Sequence, residues 1–201
     1  MAAAIEIANR ALVLLGEQRI TSFDDNSKPA REVKSQYDLT RRAELRANRW
    51  AFALKRAQLA ALPNPPVGAP EFGKVYNFPT DALRITDIGD IFVGMAFTNY
   101  RGKSEAAWAI EGRQILTSIA PPLNIRYVWD IQDGQQFDAL FVDALSARLA
   151  VDLGIVLTEA TGRVDNAKAL YAIAIRRAVQ VNAIERPPEP LPDDSWIFSR
   201  L

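Results

Sequence analysis

The hydrophobic spacing of this chain changes period twice, and that change constrains its fold more than any single motif does. Near the start, and again after Phe137, apolar residues recur at intervals of three and four, which gathers them on one face of a helix. Between Val75 and Trp129 the repeat falls to nearly two, the period of a half-buried strand. The order of helices, then strands, then helices predicts an α+β protein. An antiparallel helical bundle forms from the N- and C-terminal helices, a small antiparallel β module is inserted between them, and an extended C-terminal arm follows. The expected divisions are 1–62 for the N-terminal helical half of the bundle, 71–132 for the β-rich module, 133–184 for the C-terminal helical half and 185–201 for the arm.

Single residues fix the elements within this frame. Ile5, Ala8, Leu12 and Leu15 share a face of a first helix, and Gly16 ends it as a C-cap. The stretch from Ser22 to Pro29 is rich in Ser, Asp, Asn and Pro, residues that bond locally to the backbone, so it is expected to be a loop. A second helix over 30–48 turns Val33, Tyr37 and Thr40 inward, and Trp50 and Phe52 join the core beyond its end. Four prolines within 62–70 stop the helical region, because proline lacks the donor N–H and fixes φ. The middle runs are short, β-branched or aromatic, and separated by turn residues. A hairpin over 107–118 turns at Glu111-Gly112-Arg113, where glycine takes positive φ without steric cost. Phe137, Leu140, Phe141, Ala144, Leu145, Leu149 and Leu153 then line one broad face of a helix reaching about Leu157. A last helix over 159–183, capped by Thr158 or Thr161, gathers Val164, Ala167, Ala169, Leu170, Ile173, Ala174 and Val179, and its alanines imply close helix contacts.

Composition narrows the chemistry. The 201 residues include no cysteine and no histidine. Disulfides, thiolate nucleophiles and most zinc frameworks are thereby removed, and with them the commonest neutral-pH general base and metal ligand. Carboxylate and lysine mechanisms survive. No phosphate-binding glycine loop, nucleophile elbow or calcium loop is present, and no cofactor is expected. The adjacent acids Asp24-Asp25 and Asp193-Asp194 point apart on any regular backbone, which suits loop solvation better than acid and base catalysis. Charges balance at 24 of each sign, so any contact with nucleic acid is local. Met1–Ile7 lacks the basic and apolar segments of a signal peptide, and no run reaches the roughly 18 apolar residues of a membrane span, so synthesis in a cytoplasm is expected.

Two features stand out as interaction surfaces. The stretch from Lys28 to Arg56 carries nine cations against Glu32, Asp38 and Glu44, and it includes Arg41, Arg42, Arg46 and Arg49. Such a helix either meets phosphates or an acidic partner, or is a solvated face with local ion pairs in which Glu32 and Glu44 serve arginines three or four residues away. The second feature is the end of the chain. Pro187, Pro188, Pro190 and Pro192 enforce an extended arm that carries Trp196, Ile197 and Phe198 beyond the folded body. Either the end frays or these large apolar side chains dock in a groove of a neighbouring copy or another protein.

The order of features resembles the tail tubular protein A family, the head-to-tail adaptors of short-tailed bacteriophages. The resemblance rests on Glu6–Gly16, Ile20–Asp25, Tyr37 followed by Leu45-Arg46 and Trp50-Ala51-Phe52-Ala53, Tyr76–Arg84, the Trp108–Gly112 hairpin, Ile125–Val128, and Phe137–Phe141 through Leu149-Ala150. It implies a non-catalytic virion protein made in the host bacterial cytoplasm. Copies of it, typically twelve, form a ring between the portal protein and the tail nozzle protein, around the channel through which the genomic DNA is ejected. The arm would then clasp the portal or a sister subunit, and the basic helix would line the lumen or bridge to an acidic neighbour. The rival reading is a tail-associated peptidoglycan hydrolase working through a carboxylate, with Glu6, Glu111 or Asp130 as the nominal acid.

Overall fold

A computed structural model describes residues 3–64, 72–89, 91–92, 108–158 and 160–185. The prolines and aromatics of the arm fall outside these residues. Helix α1 (Ala4–Leu15) buries Ile7, Ala8, Ala11, Leu12 and Leu15. At its start Glu6 accepts a bond from the Ala3 N–H at 2.8 Å. At its end Gly16 adopts φ 71°, and the Glu17 N–H reaches back to the Leu12 carbonyl, which satisfies a carbonyl the helix leaves open. Helix α2 (Lys28–Ala47) begins at Ser27, whose side chain accepts from the Ala30 N–H, and takes Pro29 into its first turn, where no N–H is needed. Its start therefore precedes the expected one by two residues.

The chain then turns through a 3₁₀ segment (Ala51–Ala53) into β1 (Leu54–Leu59). These last residues, counted above with the N-terminal helical half, pair along their whole length with β7 (Leu123–Trp129). The other strands are β2 (Lys74–Asn77), β3 (Ala82–Ile88), β4 (Ile91–Phe92), β5 (Trp108–Glu111) and β6 (Gln114–Thr117). They make two antiparallel sheets, one ordered β1-β7-β3-β4 and the other β2-β6-β5. The β5–β6 hairpin turns where expected, with Gly112 at φ 57°. A shared core of Tyr76, Ile85, Ile88, Ile115, Leu123, Ile125 and Tyr127 holds the sheets together.

Helix α3 (Ala139–Leu157) is capped by the Asp138 carboxylate and touches all three other helices. It is correspondingly the most buried helix. Its Phe141 meets Trp50 at 5.0 Å and Phe52 at 5.1 Å between ring centroids, and Phe137 completes the group. Edge-on aromatic pairs add about 0.5–1.5 kcal/mol each beyond their burial. Trp50 also gives its indole N–H to the Glu44 carbonyl at 2.9 Å. Helix α4 (Thr161–Ile184) starts at Ala160 without a side-chain cap; Thr158 instead ends α3 and accepts from the Ala160 N–H. Only Val164, Ala167 and Ala178 of α4 are fully buried. Leu170 and Ile173, expected in the core, are exposed, because α4 is covered on one side alone, by α3 and part of α1. No helix among the described residues is long and apolar enough to cross a membrane.

Candidate functional site

The arginines singled out from the sequence sit where the second half of α2 meets β3 and β7. Arg41 is turned inward and its side chain is 1% exposed. It donates to the Asp130 carboxylate, to the Ile131 carbonyl and, at 3.3 Å, to Asp38. A guanidinium this deep persists only when paired, since an uncompensated buried charge costs several kcal/mol. It is therefore not a surface contact for polyanions. Arg42, one residue on, keeps a half-exposed side chain and gives its Nε hydrogen to the other oxygen of Asp130 at 3.0 Å. Arg46 donates to the Leu83 carbonyl of β3, and Arg49, also buried, bonds Asp87 at 3.2 Å.

Together these bonds stitch the helix to the sheet. Two arginines that sequence reasoning missed complete the seam. Arg84 of β3 returns a bond to the Ala47 carbonyl, and Arg126 of β7 approaches Asp87 at 3.6 Å. Burial, reinforced by the like charges of Arg46 and Arg49, holds the Arg84 guanidinium below its usual pKa. Alternation along β7 is enough to turn Arg126 away from the inter-sheet core, but Arg84 and Asp87, three apart on β3, share that face only through the register shift between Ile85 and Asp87, which the sequence pattern does not announce.

The expected local ion pairs do not form as drawn. Glu44 is buried, and its Oε1 accepts from the Tyr171 hydroxyl of α4 at 2.8 Å, while Oε2 has no hydrogen-bond partner. Burial pushes the Glu44 carboxyl up. The Tyr171 hydroxyl is pushed up to about 12, by burial first and then by its bond to Glu44. Beside them Arg148 bonds Asp152, which also accepts from the Thr40 hydroxyl at 2.9 Å. This polar cluster joins α2, α3 and α4 at one level.

The other candidate surface is on α4. Leu170, Ile173, Val181 and Ile184 follow one another at helical spacing and are all exposed, Ile173 at 66% and Ile184 at 77%. They form a stripe about a quarter turn away from the face that packs on α3. Ile155 and Val156, at the end of α3, are exposed as well. The stripe ends where the arm begins. Pro187, Pro188, Pro190, Pro192, Trp196, Ile197 and Phe198 lie outside the described residues.

The carboxylates considered for glycan hydrolysis stand on separate elements. Glu6 caps α1, Glu111 sits at the tip of the β5–β6 hairpin, and Asp130 is taken up by Arg41 and Arg42. The chain matches no family model and no curated protein sequence.

Proposed function

We propose that this chain is a structural virion protein, a ring-forming adaptor that joins a portal to a tail nozzle around the DNA channel. One observation carries the reading: the uncovered apolar stripe of α4 leads directly into the proline arm. An exposed apolar stripe of this kind, here interrupted by Arg177, marks a contact with another protein. A proline-rich arm bearing Trp196, Ile197 and Phe198 adds anchors of the type that dominate interfaces. In this reading the four helices form an antiparallel bundle, the stripe and the arm engage the portal or a sister subunit, and the β module faces the nozzle protein. The lack of histidine and cysteine, and the use of Asp130 as a structural counter-ion, support assembly over catalysis.

The test is mass measurement of the full chain alone and mixed with a portal ring, by sedimentation and electron microscopy. Addition to the ring is expected for the natural sequence. It should be lost on deleting 186–201 and on Ile173→Glu combined with Ile184→Glu, with the fold of each variant unchanged. Ring addition that survives both changes would refute the role given to this surface.

A further inference from the structure

The outer face of the four-stranded sheet holds a cleft of about 610 Å³ that the assembly role leaves unused. Its floor is built by strand register. Arg56 of β1 lies directly opposite Arg126 of β7, and two residues along, Gln58 lies opposite Asn124. Side chains two apart on a strand share a face, so two guanidiniums and two amides form a grid pointing the same way. Opposed Cβ atoms stand about 4.5–5.5 Å apart, and like charges so placed are destabilising. Asp87 relieves Arg126, at 3.6 Å, but Arg56 makes no hydrogen bond or ion pair with any described residue. The side-chain amides of Gln58 and Asn124 likewise donate to no described residue. All three side chains belong to exposed residues.

We infer that this cleft binds phosphate, specifically the phosphodiester backbone of a nucleic-acid strand. Guanidiniums grip phosphate oxygens in pairs, and neutral amides supply further donors without adding charge. Two arginines, Arg56 and Arg126, share the lining with one carboxylate, Asp87, which is already engaged by Arg49 and Arg126. Phosphates repeat along a strand and can meet both the Arg56–Arg126 row and the Gln58–Asn124 row, whereas a lone carboxylate on a partner peptide meets one. The floor offers hydrogen-bond donors from Arg56, Gln58, Asn124 and Arg126, which favours contact with a phosphodiester backbone over reading of base sequence. The inference does not depend on ring formation, because every residue of the grid comes from one copy.

The test uses the full chain and a labelled oligothymidylate, with binding followed by fluorescence anisotropy over a range of salt. Salt-sensitive binding is expected. Arg56→Gln is expected to weaken it several-fold and to lower the slope of log affinity against log salt by about 0.7, the share of one phosphate contact on a single strand. Asn124→Asp leaves every structural arginine in place but puts a negative charge in the cleft, and it is expected to weaken binding further. Lys168→Gln, on α4, should change nothing, and circular dichroism checks that each variant is folded. The inference fails if either cleft variant binds like the natural chain, or if polyglutamate binds as tightly with the same dependence on Arg56. It also fails if inorganic phosphate perturbs the cleft residues while the oligonucleotide does not bind.

Discussion

Two adjacent arginines that share one carboxylate should differ several-fold in what they contribute to stability, and Asp130 provides the comparison. Arg41 and Arg42 each bond a different oxygen of this carboxylate. Their side chains are 1% and 54% exposed, and Asp130 itself is 11% exposed. Replacing Arg41 by Met keeps an apolar stem of similar length but removes the guanidinium. That leaves Asp130 with only a solvated partner and the Ile131 carbonyl with none from Arg41. Breaking a buried pair on one side costs about 3–5 kcal/mol. Because Arg42 still partly offsets the carboxylate, the lower end applies, about 3 kcal/mol, or roughly 6–12 °C in melting temperature for a chain of this size. The same change at Arg42 removes an exposed pair and should cost about 0–1 kcal/mol.

Urea unfolding of Arg41→Met, Arg42→Met, Asp130→Asn and the Arg41→Met/Asp130→Asn double variant measures both claims. The double variant removes charge from both sides at once, so its cost should fall short of the summed single costs by about 1–3 kcal/mol. If Arg41→Met costs no more than Arg42→Met, or if the two sites prove additive, the seam is not the buried ion pair described above.

Glu44 gives a pH dependence of known sign. Its folded pKa is raised by burial, so the folded state binds its proton more readily than the unfolded state, and stability contributed by this group falls as pH rises above the ordinary value of 4.5. Relative to Glu44→Gln, the natural chain should therefore lose stability between mildly acid and neutral pH, as read by urea midpoints; equal slopes would contradict this. At Gly154 a Cβ would stand 2.8 Å from Val164 Cγ2, so Gly154→Val should overpack the contact between α3 and α4 and cost about 1–3 kcal/mol in thermal unfolding. Gly162→Ala, with nothing within 4 Å, should instead stabilise by about 0.4–1 kcal/mol.

Local signals are legible in the sequence, and distant ones are not. Gly16 ends α1 and Gly112 turns the hairpin because their conformations depend on the few residues around them. Strand β1 was hidden because it follows a helix at once and mixes Lys55, Arg56 and Gln58 with its apolar residues. Its identity depends on pairing with β7, some 70 residues later. The sequence pattern of α4 implies more burial than the helix has, with Leu170 and Ile173 exposed. Its alanines permit close packing, but how many neighbours arrive to pack is a property of the whole fold. With α3 on one side and little else, Ile173 and Ile184 stay in water.

The arginines show the same limit in a form that bears on function. In the sequence, the cations from Lys28 to Arg56 form one undivided basic stretch, with Glu32 and Glu44 as natural local partners. The carboxylates that take Arg41 and Arg49 are Asp130 and Asp87, 89 and 38 residues away. Glu44 turns to Tyr171 instead. Charge density along α2 therefore measures how firmly the helix is fastened to the sheet and not what it attracts from solution. Availability for a ligand follows from unspent donors, and by that measure the basic surface lies one element further on. It is Arg56, at the far end of the stretch, facing Arg126 across a sheet that the sequence pattern alone did not place beside it.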